Sequence, residues 1–203
     1  MYLIRRILNM VKLFIKENKT NNQRMTVRDD RGQILYLIEG RWGRKDDIVT
    51  LLELGTENYL TAKQNKLSPL PTFDLSNQEG KLGYIRKHPG LFGIRDSYFT
   101  VHPNHWVIAG DFEELYFTAH YKNELIMECE KIQRNGCDHF ELIVKNEEDV
   151  PLCALITALL DHYVRRKKEE ERTDSIEDES YNLGFLNNIQ HSITFKSEQI
   201  KTR

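Results

Sequence analysis

From Val11 onward the chain alternates apolar and polar residues in short runs separated by turn residues, and it ends that pattern in one segment apolar nearly all round. Val11–Glu17 (VKLFIKE) alternates with period two, the signature of a half-buried strand. Met25–Arg28 and Ile34–Glu39 flank Asp29-Asp30-Arg31-Gly32, a turn in which Gly32 can take positive φ at little cost. Ile48–Leu54 and Tyr59–Lys63 flank Gly55-Thr56-Glu57-Asn58. Pro69 and Pro71 mark a break or sheet edge. Thr72–Leu75 and Leu82–Lys87 flank Asn77–Gly80, and His88-Pro89-Gly90 ends that strand. Ser97–His102, His105–Asp111, Leu115–Tyr121, Leu125–Ile132 and His139–Val144 continue the spacing, with Cys137 in the Asn135-Gly136 turn. The total is about twelve strands joined by short turns, which predicts a meander of hairpins closing into a barrel or sandwich.

Val150–Val164 differs in kind. Only Thr157, Asp161 and His162 interrupt Val, Leu, Cys, Ala, Ile and Tyr. A helix apolar on every side is buried on every side. Glu147, Glu148 and Asp149 put negative charge at its start, with Asp149 as N-cap and Pro151 in the first turn. Arg165–Lys168 put positive charge at its end. The segment is short for a membrane span. The pattern therefore predicts a sheet wrapped around a helix.

The ends read differently. Residues 1–10 form a cap or a short amphipathic segment: Ile4, Ile7 and Leu8 recur at helical spacing beside Arg5 and Arg6. Arg5, Arg6, Lys12 and Lys16 break any signal-peptide core, and no small-residue cleavage site follows. Residues 11–168 form the barrel domain, and residues 169–203 read as a flexible polar tail. One island in it, Tyr181–Leu186, can dock a protein partner.

Composition narrows the function classes. The net charge of -2 over 203 residues argues against a general nucleic-acid binder. The three cysteines, Cys129, Cys137 and Cys153, are odd in number and lack metal spacing, which fits reduced thiols in a cytoplasmic protein. His102-Pro-Asn-His105 is an H-x-x-H pair without a third ligand nearby. Cys137 beside Asp138-His139 is no nucleophile pair, because adjacent strand residues point to opposite faces. No G-x-S-x-G, P-loop or G-x-G-x-x-G occurs. No catalytic, metal or cofactor constellation emerges.

Two basic groups remain as candidates for an anionic ligand. Arg41, Arg44 and Lys45 surround Trp42 in a loop after a strand. Lys81, Arg86 and Lys87 lie along the seventh strand. Arg and Lys beside an exposed Trp can meet an anionic headgroup with the ring at the interface.

Three stretches resemble the tubby C-terminal-like superfamily, in its LURP-one-related branch and small bacterial relatives. They are Thr26–Trp42 (strand, D-x-x-G turn, strand ending in Glu-Gly), Trp106–Asp111, and Lys131–His162 (strand, Gly turn, strand, acidic cap, buried helix). The resemblance implies a twelve-stranded antiparallel barrel around a central hydrophobic helix. It also implies a non-catalytic binding or scaffold domain, since tubby domains bind phosphoinositide headgroups. No basic headgroup motif of that family maps onto this chain residue by residue. The expected partner is an anionic lipid or membrane surface, peripheral at the inner membrane face. The alternative is a protein-interaction module, self-associating or acting through the tail.

Overall fold

The computed structural model describes residues 10–17, 24–41, 47–90, 96–134 and 137–166. The chain divides into two units, Met1–His162 and Tyr163–Arg203. The first holds twelve strands: β1 (Val11–Glu17), β2 (Arg24–Asp29), β3 (Ile34–Arg41), β4 (Ile48–Glu53), β5 (Tyr59–Gln64) and β6 (Thr72–Asn77), then β7 (Gly80–His88), β8 (Tyr98–His102), β9 (Trp106–Asp111), β10 (Tyr116–Tyr121), β11 (Glu124–Arg134) and β12 (Cys137–Val144). Cys137 therefore opens a strand instead of sitting in a turn: β12 pairs along its whole length with β11, down to Arg134 opposite Cys137. The proposed amphipathic segment, the Trp42 loop, the Asn135-Gly136 turn and the tail lie outside the described residues.

Each strand pairs antiparallel with its sequence neighbour, and β1 closes on β12, from Val11 opposite Val144 to Lys16 opposite His139. Among the described strands, closure leaves no edge to recruit another chain. Register shifts at Val27/Arg28, Leu75/Ser76 and Ala119/His120 mark bulges, which bend and twist a strand. The turns use the residues that the pattern marks. The Asp29 carboxylate accepts the Arg31 and Gln33 amides at 3.0 and 2.7 Å, and Gly32 has φ 85°. Asn77 accepts the amides of Glu79 and Gly80 in the same way.

Helix α1 covers residues 150–166 and follows a 3-10 turn at Glu147–Asp149. Nine consecutive residues, Cys153–Asp161, are at most 1% exposed. Nine residues make two and a half turns, so this stretch offers no solvent-facing stripe on any side. Inward strand residues supply the surroundings: Leu13, Ile15, Val27, Val49, Ile85, Phe99, Ile108, Phe117 and Leu142 are all fully buried. The helix thus fills the barrel. Burying a side chain such as Leu155 is worth about 1.5–3 kcal/mol. The buried Thr157 hydroxyl donates to the Cys153 carbonyl one turn back at 3.0 Å, which satisfies the donor within the helix.

Because strands alternate in direction, the barrel has two distinct ends. The start of β1, the β4–β5 turn, the β6–β7 turn and the first turn of α1 lie at one of them. The β3–β4 connection lies at the other.

Candidate functional site

Period-two alternation along β3 sends Glu39 and Arg41 to the face opposite the buried Ile38. On β4 the same rule sends Ile48, Thr50 and Leu52 outward between the buried Val49 and Leu51. Glu39 faces Thr50 and Arg41 faces Ile48 across the strands, while Arg24 of β2 faces Glu39. These side chains line a groove of ≈ 400 Å³ on the outer wall. That volume falls within the range of small-molecule sites. Its floor is Ile48, Thr50 and Leu52, and one side carries two guanidinium groups. Arg24 pairs with Glu39 at 3.0 Å, with both side chains well exposed, so the pair contributes little to stability. Arg41 forms no ion pair with the described residues and ends β3 just before Trp42, Arg44 and Lys45, which lie outside the described residues. Thr50 shares a hydrogen bond with Thr61 of β5 at 3.3 Å.

Asp47, just before β4, is 4% exposed. Its carboxylate lies 3.7 Å from Nε2 of His162 on α1, and its carbonyl accepts the Gln64 amide. The central helix thus brings His162 close to the residue immediately before the groove strand β4.

The second basic group does not assemble into one patch. Lys81 is held by Asp74 of β6 at 3.0 Å. Arg86 lies 4.8 Å above the Tyr84 ring and donates from Nε to the Thr72 hydroxyl. Lys87 alternates to the face opposite Arg86. Arg86 instead joins a row on the outer face of β7 and β8, where Tyr84, Arg86 and His88 stand opposite His102, Thr100 and Tyr98. Tyr84 stacks on His102 at 4.6 Å and His88 on Tyr98 at 4.9 Å. His88 Nε2 shares a hydrogen bond with Thr100 at 3.0 Å. Partial burial, with the nearby Arg86 and then His102, holds the His88 imidazole below its ordinary pKa. The row was visible in the sequence as Y-x-R-x-H and Y-x-T-x-H at strand spacing, a signal that the reading of single charges passes over.

His102 and His105 do converge, with ring centroids 5.4 Å apart. Among the described residues no group of three His, Cys, Asp or Glu could hold a metal. The buried thiols are poor nucleophiles. Burial pushes the Cys129 thiol up to about 12, with the Thr157 hydroxyl acting against it and Asp161 with it, and burial pushes Cys153 up as well. Arg24 is the basic groove residue missing from the sequence reading. The bulge at Val27/Arg28, which counting back from the Asp29–Gly32 turn does not reveal, sets it opposite Glu39.

A closed twelve-stranded antiparallel barrel filled by a C-terminal helix defines the tubby-like architecture. Within that class, residues 11–161 match the LURP-one-related family, and the chain belongs to it. An X-ray structure of a protein from Arabidopsis thaliana superposes with a TM-score of 0.53 at 14% identity, covering 76% of this chain and 91% of that one. At that identity the likeness concerns the fold. No curated protein matches the sequence. No helix among the described residues is long and apolar enough to cross a membrane.

Proposed function

We propose that this chain is a non-catalytic binding domain whose outer groove on β2–β4 takes an anionic lipid headgroup at a membrane surface. The observation that carries this reading is the pair Arg24 and Arg41 beside a groove floored by Ile48, Thr50 and Leu52. A phosphate-bearing headgroup meets the guanidinium groups by charge-assisted, bidentate hydrogen bonds. Trp42, Arg44 and Lys45 follow directly in sequence and supply an interfacial ring and two further charges. The free, buried Cys129 and Cys153 support a reducing compartment, hence the cytoplasmic face of the membrane.

The test is co-sedimentation with phosphatidylserine-containing and with neutral vesicles. Binding to the anionic vesicles only, weakened by salt and lost in the variant Arg41→Glu/Arg44→Glu/Lys45→Glu, is the expected result. Binding that ignores salt and charge reversal, or no binding at all, overturns the reading and turns the search to a protein partner.

A further inference from the structure

A second concavity lies at the end of the barrel where α1 enters. Tyr36, Leu51, Tyr59, Leu60, Leu82 and Pro151 supply its apolar lining, and it encloses ≈ 210 Å³. That is below the size of drug-like ligand pockets, which start at about 300 Å³, and suits aliphatic side chains instead. Leu82 and Tyr59 are 44% and 39% exposed, with Leu54 beside them in sequence at 45%. Exposed apolar side chains gathered at a concave rim mark an interaction site.

The charge at this rim is negative. Glu53 is the charged residue of the lining, and no lysine or arginine belongs to it. The nearest lysine in sequence, Lys81, is engaged by Asp74. Burial first, and then Glu53 and Glu147, hold the Tyr36 hydroxyl above its ordinary pKa, so both carboxylates act on the cleft. An occupant of matching chemistry is apolar and basic.

The chain carries such a segment at this same end. Val11 pairs with Val144, and Val144 leads through Glu147–Asp149 into α1, so Met10 leaves the barrel at the same end as the cleft. The residues before it read MYLIRRILN. Three to four strand spacings of about 4.8 Å separate β1 from β4 and β5, or about 14–19 Å. Six residues of extended chain between Ile4 and Met10 span about 20 Å. We propose that residues 1–9 dock back into this cleft, placing Ile4 among Tyr59, Leu60 and Leu82 with Arg5 and Arg6 toward Glu53 and Glu147. This inference is independent of the headgroup groove.

The experiment is hydrogen–deuterium exchange on the full chain, read at the amides of residues 3–9. Docking slows them by about tenfold or more relative to an unstructured peptide of the same sequence. Leu82→Asp, at an exposed position, abolishes the protection while thermal unfolding stays cooperative, and Arg5→Glu/Arg6→Glu reduces it. Exchange at the free-peptide rate overturns the inference, as does protection that survives Leu82→Asp. Protection that rises with protein concentration also overturns it, because a second copy then supplies the segment. Arg41→Glu leaves the protection unchanged whether or not vesicles bind.

Discussion

Arg41 and Glu39 share the outer face of β3, and Glu39 is already engaged by Arg24 of the neighbouring strand at 3.0 Å. One guanidinium in the groove is thus held by a carboxylate, and the other faces Ile48. Glu39→Gln should release Arg24 and tighten binding to anionic vesicles. An exposed pair is worth at most about 1 kcal/mol, so the gain is at most about fivefold. Arg24→Glu should weaken binding. Vesicle titration at fixed salt checks both, and weaker binding by Glu39→Gln would contradict the proposed polarity of the groove.

Leu155 lies within the fully buried stretch of α1. Leu155→Ala should lower the unfolding free energy by about 2–5 kcal/mol in a urea titration, through lost transfer energy and the cavity left behind. Leu155→Asp should not fold, because an unpaired charge in that interior is far too costly. Soluble, cooperatively unfolding Leu155→Asp protein would show that the helix is not central.

Cys129 and Cys153 should resist Ellman's reagent at pH 8 in a Cys137→Ser background and react fully in denaturant. The Cys129 thiol, pushed up to about 12, is almost wholly protonated at pH 8. Its folded pKa lies above the unfolded value of 9.0, so the stability linked to that proton is intact below pH 9 and is lost as pH rises from 9 toward 12. Rapid labelling of native protein at pH 8 would contradict the buried placement.

His88 should titrate below 6.5 when its ring resonances are followed by NMR. Burial is the larger cause, so Arg86→Gln should move the midpoint only part of the way back. A lowered folded pKa means that His88 contributes its stability above pH 6.5 and loses it as pH falls below that value. A midpoint above 6.5, or one unmoved by Arg86→Gln, would remove Arg86 from the account.

The strands were legible because one face of each is buried: alternation such as VKLFIKE has only one register that hides Leu13 and Ile15. The helix was legible because no polar stripe exists in LCALITALL. Cross-strand partners were less legible. Bulges at Val27/Arg28 and Leu75/Ser76 shift the pairing by a residue, and turn composition alone does not place them. That is why Lys81, Arg86 and Lys87 looked like one group along a strand, whereas alternation and Asp74 separate them. Cys137 looked like a turn residue because Asn135-Gly136 precedes it, yet the ladder with β11 extends to it. Arg41 was recognisable as a lone basic residue at a strand end, but the groove beside it arises only when β2, β3 and β4 lie side by side.

The barrel closes through Val11 and Val144, and its filling comes later still, from Cys153 to Asp161. A ribosome therefore releases all twelve strands before the helix that they enclose has been made. Until then, the inward residues of β1–β12 have nothing to pack against, and β1 waits for its second neighbour until β12 emerges. Such long-range closure favours slow, whole-chain folding over piecewise folding during translation. Nascent chains stalled before residue 150 should accordingly be cut throughout the barrel by a probe protease, and chains released beyond residue 166 should resist it.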